Sequence, residues 1–232
     1  MADVNFQLGW DQIGEKKFEA GIDRGVLYIA GASGTYPKGE AWSGLTGVTE
    51  SPEGAEANDK YADNIKYGSI RSAETLKGTI KAFTYPDTWK ACNGEAEPAT
   101  GVSVTQQARK SFGLCYRTLI GNDVDGIDHG YKLHLVYGAT ASPSERDHQT
   151  INDSPDMEEM SWEFDTIPVV INTKVDGKTL KPSSHIIIDS TKVSPEDLAT
   201  LEAALYGTAA EGQTPAVDAY LPLPDAVFAM FQ

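Results

Sequence analysis

The sequence is poor in cysteine, in positive charge and in long apolar runs. Among its 232 residues Cys92 and Cys115 are the only cysteines. Two thiols cannot build a disulfide framework, and in a reducing compartment they are expected to be buried small hydrophobes. Nineteen Lys and Arg stand against 34 Asp and Glu, a net charge of −15. That balance excludes a broad basic face, and with it nucleic-acid binding through phosphate contacts or adhesion to an anionic membrane. No run approaches the about 20 apolar residues that span a bilayer. The opening Met-Ala-Asp-Val-Asn has neither a basic nor an apolar leader segment, so the chain is expected to be soluble and made in the cytoplasm.

Catalytic spacing is also missing. His129, His134, His148 and His185 show no H-x₃-H or H-E-x-x-H pattern, so spacing offers zinc no support. By period two His134 shares a strand face with Lys132 and is expected to be solvated. Gly31-Ala-Ser-Gly34 follows a strand pattern but lacks the helix and the Lys-Ser/Thr of a phosphate loop. No G-x-S-x-G elbow occurs. Glu158, Glu159 and Glu163 could supply a glycosidase pair, yet an acidic run is ordinarily a solvated face. The loop Gly121–Asp128, with Asp123, Asp125 and Asp128, is the nearest approach to a calcium site. With Gly126 as the turn glycine, positions one and twelve are Gly121 and Lys132, so the EF-hand pattern fails and a β-turn is expected. The reading is of a non-enzyme that needs no metal or cofactor.

Hydrophobic residues make up 40% and charged residues 23%, a globular balance. Three segments carry nearly all the negative charge: 50–63, 121–128, and 145–165 with its eight acids against Arg146. Elsewhere, period-two alternation of β-branched and aromatic residues predicts strands over Lys16–Ile22, Val26–Ala30, Leu45–Thr49, Thr75–Tyr85, Phe112–Ile120, Tyr131–Tyr137, Met160–Thr166, Val169–Asn172 and Ser184–Asp189. Asp23-Arg24-Gly25 reads as a hairpin turn between the first two. A short helix is predicted over 86–92. The strongest helix, 194–206, has Ser194 as cap, Pro195 at its first position, and Leu198, Leu201 and Leu205 as its apolar stripe. The fold class is therefore mainly β, a sandwich or barrel with one flanking α-helix. Residues 1–206 form that domain, including a polar loop at 50–73 whose length marks it as functional or disordered. Residues 207–232 are a Pro/Gly-rich arm whose apolar end, Val227–Phe231, must be buried on its own fold or on a neighbour.

Several strings together resemble the major tail protein (tail tube protein) of long-tailed bacteriophages. They are Trp42-Ser-Gly-Leu-Thr-Gly-Val-Thr-Glu-Ser-Pro-Glu-Gly-Ala-Glu56, Lys60-Tyr-Ala-Asp-Asn-Ile65, Gly78–Trp89, Cys92-Asn-Gly94, Lys110–Arg117, Tyr131–Ala139, Trp162-Glu-Phe164 and Ser184–Tyr206. The resemblance spans most of residues 5–206. It implies a structural virion protein of the non-contractile type: a β-sandwich subunit that self-assembles into hexameric rings stacked as a tail tube, a conduit for DNA ejection. The implied partners are further copies of the chain and other tail proteins (tape measure, terminator and distal tail proteins). DNA passes through without specific binding, no membrane is involved, and the location is the virion tail after assembly in the bacterial cytoplasm. The same resemblance puts inter-subunit or inter-ring contacts at Trp42, Leu45, Glu50, Pro52 and Glu53, and at Gly54, Glu56, Tyr61, Asn64 and Tyr67. Acid lining the channel, from Asp153, Asp156, Glu158, Glu159 and Glu163, would repel phosphate. The competing reading is a monomeric carbohydrate- or calcium-binding β-sandwich module, suggested by Trp42 and Trp162 beside acidic loops.

Overall fold

The computed structural model describes residues 8–151, 153, 156–211 and 215–232. The chain runs β1 (Phe18–Ile29), β2 (Gly39–Trp42), β3 (Leu45–Gly54), β4 (Ala57–Ala62), β5 (Ile65–Arg71), β6 (Glu74–Ala82) and α1 (Trp89–Cys92). It continues through β7 (Ala96–Ala99), β8 (Val102–Val104), β9 (Phe112–Asn122), β10 (Gly126–Ala141), β11 (Met160–Thr166), β12 (Lys174–Val175) and β13 (Lys178–Thr179). It ends with β14 (His185–Asp189), α2 (Pro195–Tyr206) and α3 (Pro224–Ala229). The protein is mainly β with a few helices, as its alternation predicts.

Eight strands form one antiparallel sheet in the order β2-β1-β9-β10-β11-β6-β3, with β14 also on β10. β10 makes this possible. Its Lys132–Val136 half pairs with β14, and its Ala139–Ala141 end pairs with β11. Between them Gly138 has φ +63, and a Cβ there would lie 2.3 Å from the Ile167 carbonyl oxygen. Only glycine fits, and the strand changes neighbour at that point. The β11-β6-β3 portion then folds back over β1, β9 and β10.

Two cores result. Between the layers lie Leu27, Ile80, Phe112, Leu114, Val136 and Phe164, around a cluster of Trp42, Trp89 and Trp162. Trp89 meets Trp42, Phe112 and Trp162 with ring centroids at 4.8, 5.0 and 5.6 Å. The opposite face of β9 and β10 carries Cys115, Leu133, Leu135 and Tyr137 under Leu198, Leu201 and Leu205 of α2. β9 and β10 are thus covered on both faces, which is why their apolar runs are nearly unbroken. The C-terminal arm closes this second core with Leu221 and Val227, so its apolar end is buried on its own fold.

The helices follow their local signals. Ser194 Oγ accepts from Asp197 N at 3.2 Å, and Pro195 opens α2. Residues 86–92 form a turn with Trp89 N bonded to Pro86 O, then α1. Three sequence expectations need correction. Asp23-Arg24-Gly25 is a bulge within continuous β1, because both halves pair with the same strand β9 and Arg117 of β9 clasps Asp23 at 2.7 and 2.5 Å. Val169–Asn172 is no strand beyond one Val169–Ser183 bridge; the amides of Asn172 and Thr173 donate to Asp225 instead. The 50–73 segment is not an irregular loop: β3 runs to Gly54, and β4 and β5 make a hairpin.

Trp89→Ala should cost about 3–5 kcal/mol, the usual penalty for removing a fully buried large aromatic, measured by urea unfolding. Four donors from Asn172 and Thr173 hold Asp225 down at about 2, the Thr173 hydroxyl first. An acid lowered on folding adds stability above its unfolded value, and that stability is lost as pH falls through its folded value. Protection factors of the α3 amides, taken relative to the intrinsic exchange rate at each pH, should therefore fall between about pH 4 and 2 in the parent and be low throughout in Asp225→Ala.

Candidate functional site

The β4–β5 hairpin stands out from the sandwich. Asp63 and Asn64, with φ +51 and +63, make the turn that joins its strands. Two successive left-handed residues match the twist of a two-residue hairpin, and Asp and Asn tolerate them. Lys66 and Asp59 pair across it at 2.8 Å. Its large apolar side chains lie open to solvent: Tyr61 is 70% exposed and Tyr67 80%, with Ile65 and Ile70 similarly bare. A lone two-stranded ribbon has marginal stability, so such a surface is expected to be covered by something.

The contact residues named by resemblance separate into three groups. Glu50, Pro52, Glu53, Gly54, Glu56, Tyr61, Asn64 and Tyr67 are exposed along the end of β3 and the hairpin. Leu45 packs partly against the core. Trp42 is 3% exposed, and its Nε1–H donates to the Thr84 carbonyl at 2.9 Å. It is a core residue and not a surface contact, because β2 turns it between the layers. Trp162 is buried beside it, so the aromatic surface suggested for glycan binding is not formed by these two residues.

Asp153, Asp156, Glu158, Glu159 and Glu163 are all exposed. Glu159 accepts from the Thr46 hydroxyl at 2.6 Å and lies 3.6 Å from Lys81 Nζ. Glu163 lines an open groove with Glu53, Lys77 and Asp165. The acids of 121–128 organise the β9–β10 turn. Asp123 accepts from Gly14 N at 3.0 Å, and Asp125 is held by Asn122 and His129 at 3.0 and 3.1 Å. Asn122 Oδ1 accepts from the amides of Val124 and Asp125, which completes the expected turn. Cys92 and Cys115 are free and buried, and burial pushes both thiols up to about 12. Neither is poised as a nucleophile.

A second site was not legible in the sequence. Glu50 of β3, His134 of β10 and His185 of β14 converge, each offering a ligand atom within 4.8 Å of the others. His134 is buried, not solvated: Lys132 reaches outward to Glu19, whereas His134, one pleat inward, lies beneath β3. Its ring stacks on Tyr116 with centroids 4.6 Å apart and planes 5° from parallel. The Tyr116 hydroxyl donates to Glu50 Oε1 at 2.5 Å. The His134 ring, with help from Tyr116 and His185, holds the Glu50 carboxyl down at about 2 against the opposing effect of burial. Burial lowers His185, and the Glu50 charge opposes this. Glu50 is exposed at this edge, and within its own chain its carboxylate meets Tyr116, His134 and His185.

Tyr116→Phe removes one hydroxyl that meets a carboxylate. It should cost about 1.5–3 kcal/mol in urea unfolding at pH 7, the range for hydrogen bonds to charged groups.

Compared with known proteins, the chain matches no family model. Over 88 residues it is 30% identical to the large ribosomal subunit protein uL6 of Herpetosiphon aurantiacus, covering 38% of this chain and 49% of that protein. The chain thus spans about half the length of the curated relative it matches.

Proposed function

We propose that the chain is a structural subunit that self-assembles into hexameric rings, stacked as the tail tube of a long-tailed bacteriophage. The observation that carries this reading is the projecting β4–β5 hairpin with its bare Tyr61, Ile65, Tyr67 and Ile70. In a tube, each hairpin lies against a neighbouring subunit or ring, where burying one such side chain contributes about 1.5–3 kcal/mol. Ring contacts close on themselves, and stacking contacts stay open and repeat, so one interface type limits width and the other sets growth. The tape measure, terminator and distal tail proteins would then be its partners at the ends and in the channel.

The charge supports the same reading. A conduit must not hold the DNA that passes through it, and acids such as Asp153, Asp156, Glu158 and Glu163 facing the channel would repel phosphate. A ribosomal role carried over from the uL6 similarity would require binding to an RNA particle, which a net charge of −15 opposes.

Electron microscopy and sedimentation of concentrated protein test the proposal. Hollow tubes or stacked rings are expected, and a persistent monomer at all concentrations would refute it. β3 and β6 pair up to Gly54 and Glu74, so replacing residues 55–73 by Asn-Gly closes their ladder with a two-residue turn. That variant should remain folded, with its melting temperature within a few degrees of the parent, and should not polymerise. Normal tubes from it would show that the hairpin is not the contact element.

A further inference from the structure

We infer that Glu50, His134 and His185 bind one divalent transition-metal ion of the zinc type, which clips the two layers of the sandwich together. Two imidazole nitrogens and one carboxylate oxygen form a donor set suited to Zn²⁺, Co²⁺ or Ni²⁺. Mg²⁺ and Ca²⁺ prefer oxygen alone.

The spacing agrees with this chemistry. Tetrahedral ligands about 2.0–2.1 Å from zinc stand about 3.3 Å from one another. Here His134 Nδ1 lies 3.2 Å from His185 Nε2 and 3.2 Å from Glu50 Oε1. The third approach is between the other atom of each group, Glu50 Oε2 and His185 Nδ1 at 3.7 Å, so a turn of the carboxylate or of the His185 ring brings one atom of each to a shared ion.

The surroundings orient the ligands as a metal site requires. Thr118 Oγ1 is 3.0 Å from His134 Nε2. When Nε2–H donates to that hydroxyl, Nδ1 presents its lone pair to the cluster. Tyr116 holds Glu50 in the same way, and its ring fixes the plane of His134. One donor atom of each residue then lies within 4.8 Å of the other two, and a single shared proton can satisfy only one contact among them. A divalent ion satisfies all three and displaces that proton to solvent. His134 is 7% exposed and His185 15%, whereas Glu50, at 33%, borders the solvent. An ion can enter on the Glu50 side and keep water at its fourth position.

β10 and β14 pair with each other and β3 pairs with β6, so the ion joins β3 to the β10–β14 pair across the gap between layers. Glu50 also lies four residues before Gly54, where β3 leads into the hairpin, so the ion would stiffen the hairpin's root.

The test uses the full chain without a polyhistidine tag, first dialysed against chelator. Titration with Zn²⁺, in competition with a chromophoric chelator, should show one equivalent bound. Saturating Zn²⁺ should raise the melting temperature by about 5 °C or more, and equal Ca²⁺ or Mg²⁺ should not. Co²⁺ should give visible absorption of a tetrahedral nitrogen–oxygen site, with metal-dependent shifts of the His134 and His185 ring resonances. His185→Gln and Glu50→Gln should each weaken Zn²⁺ binding at least about tenfold, and circular dichroism confirms that each variant is folded. His148→Gln, at an exposed pair with Glu158, should change nothing. Absence of saturable binding would overturn the inference. So would binding that survives Glu50→Gln and His185→Gln, or that is lost with His148→Gln.

Discussion

The change of partner along β10 is the constraint on which the rest of the structure depends. A strand this long can serve two neighbours on one edge only if its backbone turns between them. Gly138 is that point: φ is positive, and the Ile167 carbonyl occupies the space of a side chain. The next strand, β11, starts the return layer, and β6 and β3 follow it in sequence of pairing. Without that turn, β3 would extend a flat sheet, and neither the Trp42–Trp89–Trp162 cluster nor the Glu50–His134–His185 group would assemble.

The same turn explains how the interior is divided. β9 and β10 separate two apolar cores, one filled by the return layer and one by α2 with the C-terminal arm. Large rings fill the first, where two sheets must be spaced by their side chains. Leucines and tyrosines fill the second, where a helix stripe meets a strand. The hydroxyl of Tyr28 reaches the Leu205 carbonyl at 2.6 Å and that of Tyr137 the Pro222 carbonyl at 2.9 Å, which ties α2 and the arm to the central strands. These are buried hydroxyls with partners, so they fix position at little desolvation cost.

Much of this was legible in the chain. Met160–Thr166 alternates cleanly and is a strand over that span, and Ser194-Pro195 opens α2 as its cap chemistry requires. The short turn-and-helix at 86–92 was visible from Pro86 and Asn93-Gly94. The errors have one source, which is that local patterns do not name their partners. Asp23-Arg24-Gly25 looks like a turn, and becomes a bulge because β9 is long enough to pair on both sides of it. Residues 50–73 look like polar loop because a two-stranded ribbon with both faces in solvent shows no buried stripe. Trp42 was placed among the contacts by resemblance, and its burial depends on the layer that lies across from β2. The concentration of acid in three segments is real, but Glu53, Asp59, Asp125 and Glu159 lie against Lys77, Lys66, His129 and Lys81. The field outside the protein is more localised than the sequence total suggests.

Composition and periodicity by themselves determined the class of protein: acidic, mainly β, lacking any spaced catalytic motif, with one well-capped helix. Those properties depend on residues a few positions apart, which local sterics and capping decide. The location of His134, the burial of Trp42 and the meeting of Glu50 with His185, 135 positions along the chain, were decided only by the tertiary structure. Each depends on which strand lies across the gap, and that follows from a backbone turn at one glycine rather than from any local pattern.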